Sequence, residues 1–118
     1  TPAELFPNTP AYWRRVDNEI RGHLGMMGSP PSPDDPRLLD TQSLWDNSMG
    51  DSCARALEKH PGSLVLHMNG GFHSAYWDGT ARQLRLRNPS ARVVTVAVEP
   101  ADDPSTAEIS GASIADYV

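Results

Sequence analysis

Two stretches decide how this sequence is read: Ser63-Leu64-Val65-Leu66-His67-Met68-Asn69 and Arg92-Val93-Val94-Thr95-Val96-Ala97-Val98-Glu99. The first is too short and too apolar for an amphipathic helix. The second is rich in valine and stopped by Pro100. Both read as buried strands. Gly70-Gly71 breaks the first, and a helix is expected from about Thr80 to Arg87, with Ala81 and Leu84 facing inward and Asn88-Pro89 closing it. Strand, glycine loop, helix and strand over 63–98 make a βαβ unit, which implies a parallel pair with a right-handed crossover. The expected fold class is therefore α/β, part of a mostly parallel sheet flanked by helices. Two strands and a stub at Ala115-Asp116-Tyr117-Val118 do not complete such a sheet. Its other strands are expected from elsewhere, in a missing N-terminal half or a partner.

Working outward, residues 1–10 read as an extended, Pro-rich lead-in. Thr9-Pro10 is a cap-then-proline helix start. Trp13, Val16, Ile20 and Leu24 follow at helical spacing, with Gly25 as the stop. Residues 28–35 form a Pro-rich loop by composition. Asp35-Pro36 repeats the start signature, and a long helix runs to about His60, with Trp45, Met49, Cys53, Ala56 and Leu57 as its apolar stripe. Gly50 inside that helix costs about 1 kcal/mol against alanine, so something is expected to pack closely on it.

The bulk properties bound the rest. At 118 residues the chain is one domain or part of one. Hydrophobic residues make up only 38% and prolines number 11, so sizeable irregular excursions are expected around a small core. The net charge is -5 and the ten basic residues are scattered, which argues against a nucleic-acid partner. A lone Cys53 makes no internal disulfide and reads as a small buried hydrophobe. No apolar run approaches the roughly 18–20 residues of a transmembrane segment.

Chemistry is expected in the loop Asn69–Asp78, at the carboxyl end of the first strand, where open α/β sheets bind ligands. Asn69, Gly70 and Gly71 would border the ligand with backbone. His73 and Tyr76 follow, and imidazole and phenolate are both competent iron ligands. The plainer reading is a tight turn with His73 capping the next helix. His67 reads as a core histidine, with ligation as the alternative. Gln42 and Asp46 share one helix face, either as exposed polar surface or with Asp46 bonding a ligand histidine. Arg82 and Arg85 are either a solvated face or a clamp for carboxylates.

The blocks Gln42-Ser43-Leu44-Trp45-Asp46-Asn47-Ser48-Met49, Asn69-Gly70-Gly71-Phe72-His73 and Gly79-Thr80-Ala81-Arg82-Gln83-Leu84 resemble, in order and spacing, ChaN-like haem-binding proteins of the Tiki superfamily. The resemblance spans roughly residues 38–118, as the C-terminal half of such a domain. It implies haem or iron uptake in the bacterial cell envelope, often by a lipoprotein. It also implies haem held at a homodimer interface through tyrosine and histidine. His73 corresponds to the histidine of the Gly-x-x-His motif, and Tyr76 is the candidate ligating tyrosine. The wider superfamily implies an alternative, a metal-dependent hydrolase with a divalent metal ion at His73. An N-terminal motif with acidic and histidine residues is absent, and Trp77-Asp78 departs from the smaller residue usual there.

Overall fold

The computed structural model describes residues 2–26, 28, 36–103 and 113–118. They form three α-helices, α1 (Pro10–Met26), α2 (Pro36–Lys59) and α3 (Gly79–Arg87), with two single 3-10 turns, Gly71–His73 and Ala75–Trp77, leading into α3. Most of the proposed 28–35 loop lies outside the described residues.

The expected α/β fold is not what forms. Among the described residues there is no strand and no sheet; the βαβ unit over 63–98 is an extended segment, α3 and a second extended segment. A strand is stable only when its backbone N–H and C=O groups find a ladder partner. Residues 64–69 find none among the described residues. The second segment gains one isolated parallel bridge, Val96 with Tyr117, in which Ala97 N donates to Tyr117 O at 2.9 Å. The alternation read from the sequence survives without the sheet. Leu64, Leu66 and Met68 stand 82–93% exposed, and Val98 is 91% exposed. Leaving side chains of this size in water forgoes about 1.5–3 kcal/mol each.

Cohesion comes instead from a core in which, among the described residues, polar side chains outnumber apolar ones. Tyr12, Val16, Cys53, Ala54, Ala81 and Ala115 are its buried apolar members. Asp46, Asn47, His73, Asp78, Thr80, Gln83 and Thr95 are buried with them. On α2 the buried stripe is Asp46, Asn47, Gly50, Cys53 and Ala54, while Trp45 is half exposed. The apolar stripe expected through Trp45 and Met49 is therefore displaced around the helix by two polar residues. On α1 the buried pair is Tyr12 and Val16 rather than Trp13 and Val16.

The polar core holds because its members are hydrogen-bonded. Asn47 imitates a backbone partner: Phe6 N donates to its Oδ1 at 2.9 Å and its Nδ2 donates to Phe6 O at 3.2 Å. Gln83 Nε2 donates to Phe6 O and Asn8 Oδ1, and Arg87 bonds Gln83, Asn47 and Glu4 O while lying over the Phe6 ring. The N-terminal lead-in, outside any helix before Pro10, is thus fastened across α2 and α3. Thr9 caps α1 as expected, its Oγ1 accepting from Tyr12 N at 3.0 Å. Gly50 marks the α2–α3 crossing. A Cβ there would lie 2.6 Å from Gln83 Cβ and 2.8 Å from Leu84 N, so only glycine lets the helices meet this closely.

Candidate functional site

The site is built around Asp46, which is completely buried. Its position on α2 faces α1, the turn Gly71–His73 and the first turn of α3. Three donors converge on it. Tyr12 OH donates to Oδ2 at 2.6 Å, Thr80 Oγ1 donates to Oδ1 at 2.7 Å, and His73 Nδ1 lies 2.9 Å from Oδ1. An ionised carboxylate only accepts, so these partners place the imidazole proton on Nδ1 and the lone pair on Nε2.

His73 itself is buried, its ring stacked on Phe72 at 4.0 Å between centroids and flanked by Trp45 at 6.4 Å. Nε2 has no hydrogen-bond partner among the described residues. The ring contributes to the wall of a pocket of about 270 Å³ lined also by Trp45, Met49, Met68, Asn69 and Gly70. The arrangement is a carboxylate–histidine pair with one ring nitrogen uncommitted beside an aromatic and thioether surface. Such a pair fixes the imidazole's orientation and raises its basicity toward a Lewis acid.

Tyr12 keeps its proton. Burial, then the hydrogen bond to Asp46 and the charges of Asp46 and Asp78, hold its phenol far above the usual tyrosine range. A raised folded-state value means that this stability is complete below the unfolded pKa, near 10, and is lost only as pH rises beyond it. Absorbance at 295 nm is expected to show one tyrosine that ionises only together with alkaline unfolding. Tyr12→Phe removes that phase; a Tyr12 phase well before unfolding would contradict the geometry.

Beside this centre Asp78 forms a second hub. Thr9 Oγ1 and Arg15 Nη2 each donate to its Oδ2 at 2.6 Å. Gly79 then starts α3 at φ +53, with its Cα hydrogens against the His73 carbonyl. The conformational freedom expected of Gly70-Gly71 is needed here instead. Neither of those glycines is at positive φ, whereas Tyr76, Trp77 and Gly79 all are.

The structure thus brings together His73, Asp46, Asn69 and Gly70, and leaves Gly71 exposed with open space where a side chain would go. It does not bring Tyr76 or Arg82 to that pocket. Both line a different cavity, and Tyr76 is 40% exposed beneath the Arg15 guanidinium. His67 is exposed, so it is not a core histidine. Tyr12 and Thr80 were not singled out from the sequence. Their signal is slight: a tyrosine four residues before Val16 on one helix face, and a hydroxyl in the first turn of the next helix.

The sequence matches the family described as haem-binding uptake, Tiki superfamily, ChaN, over residues 1–84, and the chain belongs to that family. The match takes in α1 and Tyr12, which lie before the blocks that suggested the resemblance, and stops within α3. No curated protein and no solved structure matches the chain. No described helix is long and apolar enough to cross a membrane.

Proposed function

We propose that this chain binds haem, as part of bacterial haem or iron uptake, with His73 Nε2 as an iron ligand and Asp46 as the residue that orients it. The observation that carries this reading is the buried Asp46–His73 pair with its free nitrogen beside a Trp- and Met-lined pocket. A neutral imidazole with Nδ1 anchored would be a competent iron ligand through Nε2. Trp45, Met49 and Met68 offer the apolar, polarizable contacts a porphyrin needs. Family membership supports the ligand class.

At about 270 Å³ the pocket falls short of the ~300–1,000 Å³ that enclose an organic ligand. It takes one part of a macrocycle and leaves the rest open. A second copy of this chain, or another chain, would cover the open side, so hemin is expected to increase the mass measured by light scattering. The alternative of a metal-dependent hydrolase has less support. Among the described residues no group of three or more His, Cys, Asp or Glu is placed to hold a metal ion. A divalent metal at His73 would need donors from outside them.

Hemin titration followed at the Soret band tests the reading. The intact protein is expected to bind stoichiometrically, and His73→Ala to bind at least ten-fold more weakly, about 1.4 kcal/mol. Equal affinity in the two proteins removes His73 from the site.

A further inference from the structure

A second cavity, of about 330 Å³, shares no lining residue with the His73 pocket. Its walls include Thr9, Tyr76, Trp77, Asp78, Arg82 and Arg85. Its charged walls are Arg82, Arg85 and Asp78, and the charges paired with them decide which is free. Arg15 is paired with Asp78 at 2.6 Å. Asp116 accepts from Thr95 N and Oγ1 at 2.7 and 2.9 Å and from the Trp77 side chain, with Arg85 as its nearby cation. Arg82 is left over. Its Nε is buried and donates to nothing, and a buried donor is costly to leave unpaired. Arg85 donates to the Val93 carbonyl at 3.3 Å and has Asp116 as its nearby carboxylate.

The apolar wall is held in place at a cost. Tyr76 and Trp77 both adopt left-handed backbone, φ 59 and 57. Non-glycine residues adopt this region only under strain, and such strain collects at ligand sites. Tyr76 N is tied to Ile114 O at 2.8 Å, and its ring lies 4.7 Å from the Arg15 guanidinium carbon. The Asp78 charge is answered by Arg15 and Thr9, and its buried Oδ1 is free to accept from a ligand hydroxyl or a water.

We propose that this cavity is a carboxylate-binding site, in which Arg82 and Arg85 clamp the anion and Tyr76 and Trp77 receive the apolar body attached to it. Guanidinium groups bind carboxylates through short, charge-assisted and often bidentate bonds. The carboxylate has two possible sources, a free organic acid or the propionate of a haem bound by the same protein.

Calorimetric titration with benzoate and with its neutral isostere benzamide tests the anion preference. Benzoate is expected to bind at least ten-fold more tightly than benzamide, and Arg82→Gln to remove that difference. Arg82→Lys, which keeps the charge and loses the planar fork, recovers part of it and shows that loss of fold is not the cause. Hemin and its dimethyl ester separate the sources. If propionates occupy the site, Arg82→Gln weakens hemin and not the ester, and benzoate competes with hemin. If a free acid does, benzoate binds the hemin-loaded protein as well as the free one. Equal binding of benzoate and benzamide, or benzoate affinity unchanged in both Arg82→Gln and Arg85→Gln, overturns the proposal.

Discussion

Asp46→Ala is expected to lower the melting temperature by roughly 10–20 °C, the largest loss of stability from any substitution at the site. The substitution leaves Tyr12 OH, Thr80 Oγ1 and His73 Nδ1 buried without an acceptor. Each unsatisfied donor costs about 1–3 kcal/mol, and a loss of about 1 kcal/mol shifts the midpoint by several degrees in a domain of this size. Alanine also leaves a void where α1, α2 and α3 meet. Asp46→Asn separates fold from function. Its side-chain oxygen still accepts from Thr80 and His73, and the Tyr12 hydroxyl can turn to accept from the new amide. The fold is therefore expected to survive with a small loss. Hemin affinity is expected to fall ten-fold or more, because the anionic acceptor that anchors Nδ1 and orients the imidazole is replaced by a neutral one. Circular dichroism melts and Soret titrations of the two variants check both statements. An alanine variant as stable as the parent would mean that the three hydrogen bonds do not hold the core.

Gly79→Ala is expected to be the second most damaging change. At φ +53 any side chain costs about 1–2 kcal/mol. The added Cβ would also fall 2.3 Å from the His73 carbonyl oxygen and 3.1 Å from Asp46 Oδ2. Backbone on one side and a buried carboxylate on the other leave it nowhere to go. The start of α3 must shift, carrying Thr80 off Asp46 and loosening the His73 turn. A drop of about 3 kcal/mol or more in stability is expected, together with weaker hemin binding. Gly71→Ala is the matched control, since its Cβ would meet nothing within 4 Å. Equal melting temperatures for the two variants would contradict the close approach at Gly79.

The helices were legible because their signals are local. Thr9-Pro10 and Asp35-Pro36 announce two starts, and Gly50 announces a close neighbour before that neighbour can be identified. The sheet was misread because strand patterning states only that a segment would pair, not that a partner exists. Leu64, Leu66 and Met68 carry the alternation of a buried strand and stand in water. The helix faces were misread for a related reason. Periodicity of apolar residues puts Trp45 inward and leaves Asp46 open, as polar surface or as the partner of a site histidine; the structure exposes half of Trp45 and buries Asp46 against His73, with Tyr12 and Thr80 as further donors. The Tyr12 and Thr80 partners each lie 34 residues away, beyond what spacing reveals. The pairing of His73 and Tyr76 failed on local geometry. Successive left-handed residues at Tyr76 and Trp77 turn the chain so that the tyrosine lines a different cavity from the histidine.

Imidazole rescue tests the central claim most directly. His73→Ala is titrated with hemin in the absence and presence of free imidazole, with the Soret band as the readout. Removal of the ring leaves Asp46, Thr80 and Phe72 around a space shaped for it, where an added imidazole can bind Asp46 through one nitrogen and iron through the other. The expected result is weak binding by the variant alone and recovery of most of the lost affinity, with the parent spectrum, when imidazole is added. Binding by His73→Ala that equals the parent without imidazole would contradict the assignment of His73 as an iron ligand.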